Sequence, residues 1–300
     1  MKKVYVTGQM RSGTTLVSSF LGEQRGIRIL VDQARVLTAS GEAFKDKDVD
    51  FEEPLNLLDR LKLFQAYINV NLWLARNNPE SGLEIALKRL APFMGHISRI
   101  RSPKNKPYIL KEDISSLPDF RNHVDFYQVV IEHSIPVLNR QNLVLAGNKE
   151  TRGEELATKL VQQGHKSVVI IRDPRAVVSS LIEKIGSDKN FGVKSDIEDA
   201  TDRWLKGYEL CRSADRLHLI RYEDFILKHE NTVSSLSEYL GVELEPGVGI
   251  KINNSSFADV SPGTLSTSGV NRWRNYRDQD LIASVTERCR KEILDLGYEL

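Results

Sequence analysis

Three hundred residues are enough to bury a substantial core, in one large α/β domain or two smaller ones. With 40% apolar and 28% charged residues, the chain is composed like an ordinary globular protein, not a disordered or fibrous one. A net charge of +1 excludes a global attraction to nucleic acid or an anionic membrane, so any anion site must be built from local Arg and Lys clusters. Cys211 and Cys289 form neither a disulfide framework nor a metal-ligand spacing, and are read as reduced thiols.

The opening Met-Lys-Lys-Val-Tyr-Val-Thr-Gly enters a strand pattern with no apolar leader before it. No uncharged apolar run of about 18 residues follows anywhere. A cytoplasmic protein without a membrane span is therefore expected.

In chain order, Val4–Thr7 reads as a short buried strand running into Gly8. Thr14–Glu23 is helical, with Leu16, Val17, Phe20 and Leu21 on one apolar face. From about 42 to 140 the texture changes. Leu55, Leu58, Leu61, Leu72, Leu83, Leu87 and Leu90 recur at helical spacing, broken around Asn77-Asn78-Pro79 and Pro92, which predicts a helical insertion. Strands are expected at Tyr108–Leu110, Leu143–Ala146, Val168–Ile171 and Leu217–Ile220. Helices are expected at Asn122–Leu138, Glu154–Gln163, Arg175–Ile185, Asp196–Arg212, Val233–Leu240 and Gln279–Leu294. Short apolar strands alternating with amphipathic helices predict a three-layer α/β/α fold around a parallel sheet. The Ser-, Asn- and Gly-rich stretch 247–271 is a long loop.

Gly8-Gln9-Met10-Arg11-Ser12-Gly13-Thr14-Thr15 lies between a strand and a helix, where backbone N–H groups and the helix dipole face an anion. Gly8 and Gly13 allow close approach, Thr14 and Thr15 add hydroxyls, and Arg11 adds a cation. The pattern is nearly that of a nucleotide-triphosphate P-loop, but Thr14 stands where the lysine belongs. That departure suggests a shorter phosphate chain and a metal-free site. Later, Val168–Ile171 ends in Arg172-Asp173-Pro174-Arg175, with Ser180 eight residues after Arg172. A strand-end arginine and a serine two turns into the next helix can converge on one phosphate.

Arg11-Ser12-Gly13-Thr14-Thr15-Leu16 resembles the 5′-phosphosulfate loop of sulfotransferases that use 3′-phosphoadenosine 5′-phosphosulfate (PAPS). It is similar to the R-S-G-T-T-L form of tyrosylprotein and related bacterial sulfotransferases. Arg172 and Ser180 match that family's 3′-phosphate motif in spacing. Arg221-Tyr222-Glu223-Asp224 matches a further segment, whose tyrosine frames the nucleotide. Val270-Asn271-Arg272-Trp273 resembles the loop that closes over the 3′-phosphoadenosine, making Arg272 a second 3′-phosphate ligand. The likeness covers 1–35 and 142–275 in patches and leaves out the insertion. It implies one P-loop-type sulfotransferase domain over 1–300, PAPS as co-substrate, 3′-phosphoadenosine 5′-phosphate (PAP) as product, and no required metal.

The reaction needs an acceptor deprotonated and charge stabilised on the sulfuryl and leaving phosphate oxygens. Arg11 and Lys149 are assigned the second task. Lys149 follows the strand at the sheet edge where open α/β sheets bind ligands, and the tyrosylprotein branch has a similar Asn-Lys segment there. For the base, Asp32 stands 21 residues after Arg11, the separation at which that branch carries a glutamate. Asp here is shorter than the family's Glu, and Glu112, Asp113, His96, His123 and His133 are its rivals. Trp73, Phe64, Tyr67 and Phe93 of the insertion are core residues or an acceptor pocket lining. The acceptor is expected to be a small-molecule, lipid, glycan or peptide hydroxyl. A P-loop kinase or ATPase, which would bind MgATP, and a non-catalytic nucleotide-binding module are the alternative readings.

Overall fold

The β-branched and aromatic run Val4-Tyr5-Val6-Thr7 is buried on both faces, as a strand at the centre of a parallel sheet must be. In the computed structural model this is β1, Lys2–Gly8, and its neighbours bond to it in parallel on either side. The structure describes residues 2–31, 36–44, 49–77, 119–134, 143–187, 196–248 and 267–300. Its sheet has five parallel strands among those residues. They are β1, β2 (Ile27–Val31), β3 (Leu145–Lys149), β4 (Lys166–Ile171) and β5 (His218–Arg221), in the order β2-β3-β1-β4-β5. The expected strand Tyr108–Leu110 lies outside the described residues.

Two compact units make up the chain. The first, Met1–Val31 with Leu143–Leu300, holds the sheet, and the second is Asp32–Asn142. Around the sheet run α1 (Thr14–Glu23), α5 (Glu154–Gln162), α6 (Pro174–Ser187), α7 (Ile197–Ser213), α8 (Tyr222–Leu227), α9 (His229–Leu240), α10 (Gln279–Arg288) and α11 (Arg290–Asp295). One sheet face packs Val4, Val6, Val168 and Ile170 against Leu16, Phe20, Phe225 and Leu236. Helices α6, α7 and α10 cover the end of β4 with Val178, Leu181, Trp204 and Val285. The alternation of faces along β4, Ile170 to one side and Ile171 to the other, is the two-residue period of a strand. Helices on both faces of a parallel sheet are the three-layer α/β/α arrangement expected from the sequence.

Two differences from the sequence reading matter for the site. First, β2 was not anticipated. It follows α1 after only three residues, and charged Arg28 interrupts its apolar run. Second, β3 begins later than expected and continues through Gly147-Asn148-Lys149, residues of poor strand propensity. Gly147 is needed there, because a Cβ would collide with the Val4 carbonyl of β1. Lys149 is therefore the last residue of a strand, not part of the loop beyond it.

The second unit contains α2 (Val36–Ala43), α3 (Leu57–Asn77) and α4 (His123–Ser134). Leu63, Phe64, Tyr67 and Ile68 of α3 are buried, as are Phe120, Phe126 and Val130. Tyr67 meets Phe126 edge-on at 5.6 Å. Phe64 and Tyr67 are thus core residues; the side chain of Trp73, and Phe93, lie outside the described residues. No described helix is long and apolar enough to cross a membrane.

Candidate active site

Because β1 lies between β3 and β4, the chain leaves its C-terminal end toward β2 on one side, while β3 connects across to β4 on the other. Such a reversal of strand order opens a crevice at the carboxyl ends of the strands. Three sequence-predicted segments end there: the loop after Gly8, Lys149 and Arg172. Lys149 pairs in register with Val6 of β1 and is 2% exposed.

The loop after β1 is tightly wound. Ser12 N–H and Ser12 Oγ both donate to the Gln9 carbonyl, at 3.1 and 2.7 Å. The Ser12 side chain is fully buried, so it shapes the turn from within. Gly13 (φ 94) and Arg11 (φ 70) both take left-handed conformations, which for an arginine is backbone strain. Gly13 caps α1 without any side-chain hydrogen bond, and the first turn of α1 has no acidic residue. The helix N-terminus therefore keeps its positive end uncompensated. Thr14 is buried and Thr15 half-buried in that first turn.

Arg172 follows β4 and is 9% exposed. Its Nη1 donates to the Arg11 carbonyl at 3.0 Å and its Nη2 to the Gly269 carbonyl at 2.5 Å. Its guanidinium lies 4.4 Å from the centre of the Tyr222 ring, while its buried Nε has no acceptor among the described residues. Arg11 Nε donates to Ser180 Oγ at 2.9 Å. Arg272, exposed on a short 3-10 turn (Arg272–Asn275), pairs loosely with Glu183 at 3.4 Å. Burial, then Arg172, then Arg272 make the Arg11 guanidinium easier to deprotonate than usual; Glu183 opposes them. Tyr222 opens α8, with its hydroxyl held above the usual range by burial. Its ring leaves no room for a side chain at Gly13, nor its hydroxyl for one at Gly269.

Arg11, Gly13, Arg172, Ser180, Tyr222 and Arg272 are thus one cluster drawn from four separate stretches of chain. Arg11, assigned with Lys149 to charge stabilisation on the sulfuryl and leaving phosphate oxygens, turns its Nε to the serine of the other motif. Trp273, next to Arg272, is buried, with Arg175 at 3.7 Å and Arg274 at 4.7 Å from its ring, and belongs to the core beside α6. An open groove of about 900 Å³ runs beside Arg272, lined by Ile182, Glu183, Asn271, Tyr276 and Arg277.

Beneath the cluster lie charged groups that the sequence reading missed. Gln9 Nε2 donates to Glu154 Oε1 at 2.9 Å, and Arg203 pairs with Glu154 Oε2 at 2.9 Å. Burial raises the Glu154 carboxyl above its usual range against the pull of Arg203. Asp173 accepts from Arg175 Nε and Nη2 at 2.9 and 2.7 Å, both side chains being buried. No sequence signal marks these partners, since a buried ion pair is spelled like an exposed one; the i, i+2 pair across Pro174 is the nearest to a visible cue.

Asp32, Glu112, Asp113 and His96 lie outside the described residues, as does the side chain of His133. His123 sits in the core of the helical unit, with Ser40 Oγ 3.0 Å from its Nδ1 and the rings of Phe44 and Phe51 against it. Burial pulls its pKa down to about 4.

Comparison with known proteins follows the same lines. Residues 161–246, which contain Arg172, Ser180 and Tyr222, match the sulfotransferase family. The chain is 27% identical over 160 residues to carbohydrate sulfotransferase 1 of Danio rerio, covering 45% of this chain and 38% of that protein. It is 27% identical over 104 residues to carbohydrate sulfotransferase 1 of Mus musculus, covering 32% and 23%. The chain therefore spans well under half the length of these curated relatives. Its fold is that of the sulfotransferase domain from the curacin biosynthetic pathway, with a TM-score of 0.53 at 14% identity, over 100% of this chain and 98% of that one.

Proposed function

We propose that this chain is a member of the sulfotransferase family that transfers the sulfuryl group of PAPS to an acceptor hydroxyl and releases PAP. The carrying observation is the gathering of Arg11, Arg172 and Arg272 around an uncapped helix N-terminus and a tyrosine face. Like charges this close repel one another, and a polyanion is the natural relief. A buried Arg172 Nε with no acceptor among the described residues and two left-handed residues in the loop fit the same ligand.

In this reading Arg172, Ser180 and Arg272 hold the 3′-phosphate, with Tyr222 walling the nucleotide. The N–H groups at the start of α1 and the hydroxyls of Thr14 and Thr15 hold the 5′ end. When bound, PAPS supplies an activated sulfuryl group on a phosphate leaving group. Lys149, fixed on β3, neutralises charge on the transferred sulfuryl oxygens; Arg11 links the two phosphate subsites and keeps the leaving end cationic. Such preorganised charge is the main source of rate in loose displacement chemistry. Asp32, next in sequence after β2, accepts the acceptor proton; that role rests on its sequence position alone. For the acceptor, the curated relatives' names favour a carbohydrate hydroxyl.

The test is calorimetric titration with PAP in EDTA, beside ATP with and without Mg²⁺. Micromolar PAP binding, reduced about a hundredfold in Arg172→Ala, is expected for loss of charge-assisted hydrogen bonds. MgATP binding without PAP binding would sink the proposal in favour of a kinase.

A further inference from the structure

We infer that Tyr298 and Glu223 are positioning residues for the nucleotide site, forming a brace that fixes the backbone from which Arg172 projects. Glu223 is buried beside Tyr222 in α8. Its Oε1 accepts the backbone N–H of Asp173, the residue after Arg172, at 3.2 Å, and its Oε2 accepts from Tyr298 Oη at 2.7 Å. One carboxylate thus joins the segment after α11 to the peptide that carries Arg172.

Other contacts tighten the same joint. Arg175 Nη2 donates to the Glu299 carbonyl at 2.6 Å while its fork grips Asp173. Arg221 lies 4.3 Å from the centre of the Tyr298 ring. From the other side, Trp204 Nε1 donates to the Arg172 carbonyl at 3.0 Å. The peptide unit that follows Arg172 is therefore held at both its carbonyl and its N–H, where the side chain reaches the Arg11 and Gly269 carbonyls. Removing the Tyr298 hydroxyl would leave a buried carboxylate short of a donor, and such groups relax by moving. The other donor on that carboxylate is the Asp173 N–H, so a shift of the carboxylate is passed to the Asp173 peptide and, with it, to Arg172.

This inference rests on the reading of the cluster as a PAP site, and the experiment separates the two. PAP affinity and thermal midpoint are measured for wild type, Tyr298→Phe, Glu223→Ala, Glu223→Gln and the Tyr298→Phe/Glu223→Ala double variant. Tyr298→Phe and Glu223→Ala are expected to weaken PAP by about tenfold, the worth of one buried hydrogen bond. Glu223→Gln, which keeps an acceptor for Asp173 and a partner for Tyr298, stays within about twofold on the same scale. The double variant is no weaker than Glu223→Ala alone, because both act through one joint. If Glu223→Ala does not fold, the contrast of Tyr298→Phe with Glu223→Gln decides. A lowered thermal midpoint with wild-type PAP affinity in Tyr298→Phe makes the brace merely structural and overturns the inference. A wild-type protein that binds no PAP removes the reading of the site, and the brace with it.

Discussion

Arg11 Nε donates to Ser180 Oγ across 2.9 Å, joining two residues that stand 169 apart in the chain. The bond ties the loop after β1 to the helix after β4, the two segments assigned to opposite ends of the nucleotide. With Nε engaged, Arg11 keeps its Nη groups for other acceptors. Ser180→Ala should therefore loosen both ends at once. PAP affinity is expected to fall about tenfold, and Arg11→Lys, which lacks an Nε donor of that geometry, should fall comparably. Calorimetry on each single variant and the double would test this, and simple additivity would argue against the link.

Gly13→Ala is expected to lower the thermal midpoint and PAP affinity together. The backbone there is left-handed, which costs an alanine about 1–2 kcal/mol. The added methyl would also push into the Tyr222 ring. Combining it with Tyr222→Ala relieves the collision but not the strain, so the double variant should melt higher than the sum of the single losses predicts. Thermal denaturation of the four proteins reads the difference.

Lys149→Met and Asp32→Asn should separate chemistry from binding. Both are expected to lower kcat by about a hundredfold or more while leaving PAP affinity within about twofold. Steady-state rates with an accepted substrate, set beside PAP titrations, check this. A loss of PAP binding in Lys149→Met would mean that the lysine grips the nucleotide rather than the transferred group.

His123 gives the helical unit an acid limb. Burial lowers its folded-state pKa from 6.5 to about 4, so unfolding takes up a proton between those values. Stability from this group is present above pH 6.5 and is lost as pH falls toward 4, by about 3 kcal/mol at the lower limit. Melting curves between pH 7 and pH 4 should flatten in His123→Gln. An unchanged acid limb would assign the sensitivity elsewhere.

What could be read from the sequence depended on whether the constraint is written in one place. The loop from Gly8 to Thr15 is such a case: left-handed turns and close packing demand glycine at fixed spacing, so the residues announce the geometry. Arg172 and Ser180 were legible because a strand end and two helical turns fix their separation. β2 was not, since Arg28 breaks its apolar run. The end of β3 was misjudged because Gly147 and Asn148 are poor strand formers; at Gly147 β1 passes too close for a side chain. The Glu154 and Glu223 networks were invisible for a different reason. Their partners Arg203 and Tyr298 are brought near only by the completed fold, and nothing local distinguishes a buried glutamate from a solvated one.

The placement of the indoles gives the molecule a built-in indicator. Trp204 is buried, and its Nε1 donates to the carbonyl of Arg172; Trp273 lies against Arg175, which grips the neighbouring Asp173. Of the chain's three tryptophans, two thus touch the backbone or the support of the same arginine. Any ligand that pulls on Arg172 alters the polarity and quenching felt by those rings. Intrinsic emission should therefore follow occupancy directly, without a label or a coupled assay, and Trp204→Phe would tell which ring carries the signal.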